Sequence, residues 1–228
     1  MQQTLGILML DTRFPRIPGD VGNEKSFPFP IRKKIVRGAS TERVVHEHDP
    51  ALLEPFCAAA RELEREGVAA ITTSCGFLAM FQRELAAAVR VPVFTSALLQ
   101  VPQAAAMLPP GQAVGILTAD ARTLGDKQFA GVGISGLPLA VYGMEGTGFG
   151  QVFVGDTPEL DRAATERELV AVTRRMLAER PDVSAIVLEC TNMPPYAHAV
   201  QQASSLPVYD ITTLARFVMD GLARTTFD

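Results

Sequence analysis

A repeated segment constrains the fold of this chain more than any other feature of its sequence. Residues 5–13 (LGILMLDTR) align with residues 114–122 (VGILTADAR), and Gly, Ile, Leu, Asp and Arg recur at an offset of 109 (115 − 6). Each copy has the pattern of a short apolar strand that ends at an aspartate. Two such copies within 228 residues predict two divergent versions of one α/β lobe. A period this long does not indicate a solenoid.

Two cysteines recur in the same way. Cys75 and Cys190 each end an apolar, strand-like run, and each precedes the proline of a later strand by 17 residues (92 − 75 and 207 − 190). The cysteines lie 115 residues apart (190 − 75), so the second copy carries about six extra residues (115 − 109) between the two landmarks. Equivalent thiols in a duplicated chain predict a pair of acid/base groups that face one substrate.

Strand-like and helix-like segments alternate along the rest of the chain, which is typical of mainly parallel sheets flanked by helices. We therefore predict an α/β fold of two pseudosymmetric lobes. Residues 1–96 with 211–228 form the first predicted lobe, and residues 97–210 form the second. The predicted strands are 5–10, 34–37, 68–73, 91–95, 113–118, 137–142, 184–189 and 206–209, and the predicted helices are 50–66, 77–89, 158–179 and 194–203.

Both cysteines fall at the carboxyl ends of predicted strands, the edge of an open α/β sheet where ligands bind. Residues 14–31 follow the first strand and contain four prolines and two glycines, so we predict a loop there. This loop has two interpretations, a lid over the site or a surface excursion.

Composition narrows the class of protein. Apolar residues make up 47% of the chain and charged residues 20%, as in a globular protein with a full core. The net charge of −4 argues against nucleic acid and anionic membranes as partners. We find no apolar run long enough to span a bilayer and no basic leader of a signal peptide. An odd count of three cysteines, with Cys57 in a predicted helix, favours reduced thiols and a cytoplasmic location.

The chemistry of the thiols suggests a function. An unperturbed cysteine has a pKa of about 8.5, and a nearby helix N-terminus is expected to lower it. One cysteine could then remove a proton from a carbon acid while the other delivers a proton to the opposite face. Such an inversion requires neither a metal nor an organic cofactor, and we predict neither. The alternative is that both cysteines are buried structural residues.

Small polar groups flank both thiols. Ser74, the N–H of Gly76, Thr191 and Asn192 could hold a substrate carboxylate or an enolate-like oxyanion. The same residue types also cap helices, and the two roles are compatible. Asp11, at the end of the first strand, could orient substrate or cap the next helix.

At these residues the chain resembles the cofactor-independent Asp/Glu racemase superfamily, which includes hydantoin racemases, maleate isomerases and arylmalonate decarboxylases. The run Cys-Thr-Asn-Met-Pro at 190–194 is similar to the Cys-Thr-His-x-Pro motif of glutamate racemases, with Asn192 in place of His. Residues 118–123 resemble the Thr-rich strand end of hydantoin racemases, which adds Thr118 and Thr123 as candidates. Gly76 and Phe77 stand where amino-acid racemases commonly have Asn-Thr, which argues against free glutamate or aspartate as substrate.

The resemblance covers nearly the whole chain and implies a site in the cleft between the lobes. Our leading hypothesis is a racemase or epimerase of a small carboxylate, an amino acid or a derivative, that is expected to form a homodimer. The alternatives are a maleate-type cis-trans isomerase, an arylmalonate-type decarboxylase and a non-catalytic small-molecule binding protein. Retention of both cysteines argues against the decarboxylase. The predicted catalytic residues are Cys75 and Cys190, and the predicted substrate-binding residues are Asp11, Ser74, Gly76, Phe77, Thr118, Thr123, Thr191 and Asn192.

Overall fold

The computed structural model describes residues 3–224 and 226, and within them the chain forms two four-stranded parallel sheets. The predicted α/β fold of two lobes is confirmed. The first sheet has the order β2-β1-β3-β4 and the second has the order β6-β5-β7-β8. The strands are β1 (Leu5–Met9), β2 (Ile31–Ile35), β3 (Ala70–Thr73), β4 (Val93–Phe94), β5 (Ala113–Thr118), β6 (Leu139–Gly143), β7 (Val183–Leu188) and β8 (Val208–Tyr209).

The two repeated segments form inner strands of the two sheets. Gly6 of β1 pairs with Ile71 of β3, and Gly115 of β5 pairs with Ile186 of β7. Both β1 and β5 are buried along their whole length. Burial on both faces explains why each copy is an almost continuous apolar run rather than an alternating one.

Helices cover both sheets and connect the parallel strands. Shorter 3₁₀ turns precede several of them, including Gly76–Phe81 directly after Cys75 and Pro194–Tyr196 after Cys190. The helices are α1 (Leu53–Arg65), α2 (Gln82–Ala88), α3 (Val101–Ala106), α4 (Asp126–Val132), α5 (Gly148–Phe153), α6 (Arg162–Glu179), α7 (Ala197–Ser204) and α8 (Ile211–Leu222). No helix in the described part of the chain combines the length and apolar character needed to cross a membrane.

Several predicted elements differ in their bounds; the predicted helix 77–89, for example, begins as the 3₁₀ turn Gly76–Phe81 and continues as α2. The second strand lies at Ile31–Ile35 rather than at 34–37, because it is an edge strand whose exposed Arg32 and Lys33 break the apolar pattern. The long helix α6 begins at Arg162 rather than at 158, since the Asp161 side chain accepts a hydrogen bond from the Ala164 N–H at 3.0 Å and caps it.

The last helix returns to the first sheet. Ile211, Leu214 and Met219 of α8 share a buried cluster with Leu5 and Ile7 of β1. The boundaries of the two lobes stay predictions, and residues 225, 227 and 228 of the last predicted segment lie outside the described residues.

Candidate active site

The two predicted catalytic cysteines line one cavity between the lobes. Each lies two residues beyond a central strand, Cys75 after β3 and Cys190 after β7. The parallel sheets bring these carboxyl ends together, as in other open α/β folds. The cavity has a volume of about 20 Å³, which is room for a single water molecule. A substrate therefore requires the cavity to open.

The proline-rich segment 14–31, here called the cover, contributes Phe14 to the lining of the cavity. Asp20 of the cover is buried and accepts a hydrogen bond from Asn192 Nδ2 at 2.6 Å. The N–H of Val21 donates to the Thr191 carbonyl at 3.3 Å. Gly19, at a φ of 102°, lies so close to Pro195 that a Cβ would be 2.8 Å from its Cα. The cover is therefore held by the residues that follow Cys190.

The surroundings of Cys75 disfavour its thiolate. Burial, and next the carboxylate of Glu189, raise the pKa of Cys75 to about 12, while a hydrogen bond from the Phe77 N–H acts in the opposite direction. The expectation that a helix N-terminus lowers this pKa is wrong in net effect. Loss of water around the sulfur outweighs one N–H donor at a short 3₁₀ turn.

Cys190 is held as a thiol. Burial, and next Glu189, raise its pKa well above the ordinary cysteine value. Its Sγ donates to Asn192 Oδ1 at 3.4 Å, and Asn192 Nδ2 in turn donates to Asp20. This chain of donors requires a proton on the sulfur. Both thiols are thus neutral in the closed cavity.

Glu189 is the residue that sequence reasoning missed. Its side chain is fully buried and lines the cavity, with Oε2 accepting from Thr118 Oγ1 at 2.7 Å. Within the described residues, Oε1 has no hydrogen-bond partner. Burial raises the pKa of Glu189 to about 7, against the lowering effect of the Thr118 hydroxyl. The signal that the sequence offers for this residue is its position, because Glu189 is the one charged residue at the end of the apolar run 185–190.

Gly76 has a structural reason to be glycine. A Cβ at this position would overlap both the side-chain Oε1 and the backbone carbonyl of Glu189. The first residue after one cysteine thus packs directly on the residue before the other. This contact joins the two lobes beneath the cavity.

Four more of the predicted site residues lie in or beside the cavity. Ser74, Phe77 and Asn192 line it, whereas Thr191 lies behind and donates from Oγ1 to the Ser74 carbonyl at 2.7 Å. The hydroxyl of Ser74 accepts from the Leu10 N–H at 2.8 Å. The hydroxyls of Ser74 and Thr191 and the amide of Asn192 already have partners within the chain, so each has less capacity to bind a substrate carboxylate than the sequence suggests.

The remaining three do not reach the cavity lining. Asp11 accepts from the Gly38 N–H at 3.3 Å, and Thr118 lies behind Glu189 as its hydrogen-bond donor. The Thr123 hydroxyl lies 3.5 Å from the carbonyl oxygen of Asp120. Roles for these three residues in substrate binding stay predictions.

Comparison with known proteins places the chain among enzymes of related fold. The model of the Asp/Glu/hydantoin racemase family matches residues 34–216. The dimethylsulfoniopropionate lyase of Durusdinium sp. clade D is 31% identical over 226 residues, covering 96% of this chain and 74% of that protein. Dimethylsulfoniopropionate lyase 5 of Emiliania huxleyi is 32% identical, covering 94% of this chain and 44% of the relative. The chain thus spans less than half of the second relative.

Solved structures share the fold at lower identity. Unliganded arylmalonate decarboxylase superposes with a TM-score of 0.67 at 17% identity, covering 99% of this chain and 94% of that one. Aspartate racemase from Picrophilus torridus has a TM-score of 0.59 at 13% identity, with coverage of 96% and 94%. At these identities the likeness concerns the two-lobed architecture alone.

Proposed function

This chain belongs to the Asp/Glu/hydantoin racemase family, and we propose that it removes the proton beside the carboxylate of a small acid. The observation that carries the proposal is the pair of thiols, one from each lobe, lining one closed cavity. A cysteine at such a site can act as a base towards a carbon acid and as an acid towards the resulting carbanion. Because both groups are side chains of the chain itself, the proposed step needs no cofactor.

We propose β-elimination as the outcome, on the support of the dimethylsulfoniopropionate lyases that are 31% and 32% identical. A thiolate would take the Cα proton of a 3-sulfoniopropanoate. The Cα–H electron pair would form the Cα=Cβ double bond, and the Cβ–S bond would break with its electrons leaving on sulfur. The products are a neutral dialkyl sulfide, acrylate and the proton now on the cysteine.

Cys75 is the proposed base. A pKa of about 12 leaves only a small fraction of Cys75 as thiolate near neutral pH. A sulfonium brought beside the sulfur would lower that pKa by its positive charge and so raise the fraction of thiolate. Cys190 also accepts a backbone N–H, but its proton is in addition directed to Asn192 Oδ1, which favours the thiol form. We assign Cys190 a supporting role as hydrogen-bond donor or acid.

Incubation of the purified chain with dimethylsulfoniopropionate tests this proposal. We expect dimethyl sulfide by gas chromatography and acrylate by proton NMR in equal amounts. The Cys75→Ser variant serves as the matched blank for non-enzymatic elimination at the same pH. Absence of both products from the wild-type chain, with the substrate recovered intact, would reject elimination of this substrate.

Racemisation is the second candidate, favoured by the position of one thiol on each lobe. Separate incubations of the enantiomers of small amino acids and hydantoins in heavy water would reveal it. Deuterium at Cα with loss of optical rotation, without elimination, would replace the lyase proposal by a racemase. Conversion of maleate to fumarate would instead support an isomerase.

A further inference from the structure

Glu189 carries a buried oxygen that the proposed proton transfer does not use. The residue has no exposed surface, and its Oε2 is held by Thr118 at 2.7 Å. Its Oε1 has no partner in the described part of the chain, although the side chain lines the cavity. A buried, ionised carboxylate without a partner is costly, so such a group in a binding cavity points to a ligand that brings a compensating positive charge.

Aromatic rings surround the same cavity. Phe14 from the cover, Phe77 beside Cys75 and Phe153 from α5 all line it. The Phe14 ring already has the guanidinium of Arg16 4.5 Å from its centroid, so this ring binds a cation in the structure itself. Rings of this kind attract cations whose charge is weakly hydrated, and they also contact the methyl groups of such cations.

The other polar groups around Glu189 do not neutralise it. Cys75 and Cys190 are neutral thiols, and the Thr118 hydroxyl from β5 supplies a hydrogen bond without charge. Among the nearby charges of the cover, Arg16 pairs with Asp20 at 3.1 Å. An ionised Glu189 therefore leaves one negative charge in the cavity for a ligand to balance.

We propose that Glu189, together with the rings of Phe14, Phe77 and Phe153, forms a subsite for the cationic onium group of a zwitterionic carboxylate. The inference rests on the proposed function for the carboxylate end of the substrate and for the reaction. It adds that a positive charge on the substrate is a requirement for tight binding. A carboxylate of the same shape without the onium group carries no positive charge to balance that of Glu189.

The subsite has a characteristic dependence on pH. Burial raises the pKa of Glu189 to about 7 in the empty cavity, so its charge is lost as the pH falls through that value. An opposite charge within 4–6 Å lowers a carboxyl pKa by about one to three units. By linkage, protonation of Glu189 raises the dissociation constant of the cation about tenfold for each unit by which the cation lowers the pKa, so the expected loss of affinity is on the order of tenfold or more.

A pair of isosteric ligands tests the subsite without relying on turnover. 3-(Trimethylammonio)propanoate and 4,4-dimethylpentanoate have the same shape and differ in one positive charge. We expect the full chain to bind the cationic ligand at least about tenfold tighter at pH 8 by isothermal titration calorimetry. The preference should shrink towards pH 5.5, and Glu189→Gln should lack it at both values.

Three results would overturn the inference. One is equal affinity for the two ligands at pH 8, a second is a preference that survives in Glu189→Gln, and the third is failure of both ligands to bind the wild-type chain. A preference that is unchanged in Phe217→Ala, an exposed ring of α8 that does not line the cavity, provides the control for substitution itself.

The subsite and the reaction can fail separately. Release of dimethyl sulfide together with equal affinity for the two ligands would leave the lyase proposal standing and remove the subsite. A charge preference that depends on Glu189, without elimination or exchange at Cα, would keep the subsite and reject the proposed chemistry.

Discussion

The two halves of the cavity share a backbone plan but carry different chemistry. In the first lobe Cys75 is followed by Gly76 and Phe77, neither of which brings a polar side-chain group to the cavity. In the second lobe Cys190 lies between Glu189 and Thr191, which place a buried carboxyl group and a buried hydroxyl on either side of the cysteine in the chain. The duplication thus places two equivalent thiols, while their neighbours make them unequal.

The two cysteines also differ in how strongly their surroundings stabilise the thiol form. Cys190 donates to Asn192, which is anchored to the cover through Asp20, so its thiol form is stabilised. Burial and Glu189 raise the pKa of Cys75 as well, but the Phe77 N–H and the Arg16 cation act in the opposite direction, and the Cys75 thiol has no acceptor comparable to Asn192 among the hydrogen bonds of the described residues. A pair of this kind suits a one-base elimination better than a symmetrical exchange of protons.

Serine substitution of each thiol should give the largest effect. We expect Cys75→Ser to lower the rate of elimination about a thousandfold and Cys190→Ser to lower it about tenfold, as judged from the typical contribution of a general base. Steady-state release of dimethyl sulfide measures both. Cys57→Ser, buried in α1 away from the cavity, controls for the thiol-to-hydroxyl change and should stay close to the wild-type rate. Equal losses at 75 and 190 would indicate a symmetrical two-base reaction.

Alanine at position 76 should break the contact between the two halves. Its Cβ has no space because the carbonyl and carboxylate of Glu189 lie against Gly76. We expect Gly76→Ala to lower the free energy of unfolding by about 1–3 kcal/mol, as overpacking does in other cores, measured by urea denaturation. Gly221→Ala in α8 meets no atom within 4 Å and should be neutral or stabilising. A Gly76→Ala chain as stable as the wild type would contradict the close packing.

Removal of the Glu189 charge should give an effect on stability that depends on pH. The pKa of Glu189 rises from 4.5 to about 7 on folding, so the folded state binds the proton more tightly and loses stability as the pH rises between these values. The shift of 2.5 (7 − 4.5) corresponds to roughly 3 kcal/mol. We therefore expect the stability of Glu189→Gln relative to the wild type to increase by up to that amount from pH 4.5 to pH 8.

Urea denaturation at several pH values measures this difference. Glu166→Gln on the exposed face of α6 is the matched control for the change from carboxylate to amide. A Glu189→Gln curve that runs parallel to that of the wild type would show that Glu189 ionises in the folded chain as it does in water. The electrostatic difference between the two halves of the cavity would then be much smaller than the structure indicates.

Several elements of the fold were predictable because their signals are local. The repeated apolar segments became β1 and β5, and the cysteines lie just beyond β3 and β7 as their spacing indicated. The edge strand β2 was misplaced because an exposed strand has little apolar pattern. Glu189 was overlooked because a lone charge at the end of an apolar run is usually exposed, and only the packing of Gly76 against it shows that it is buried.

The sequence by itself determined that the chain has two related lobes with equivalent thiols at strand ends, because hydrophobic period and residue spacing are properties of neighbouring residues. The tertiary structure decided which groups meet and what charge they carry. Asp20 and Asn192 are 172 positions apart in the chain yet share a hydrogen bond over the cavity. Burial between distant segments removes water from Cys75, Cys190 and Glu189, and this desolvation sets their pKa values in a way that no local pattern reports.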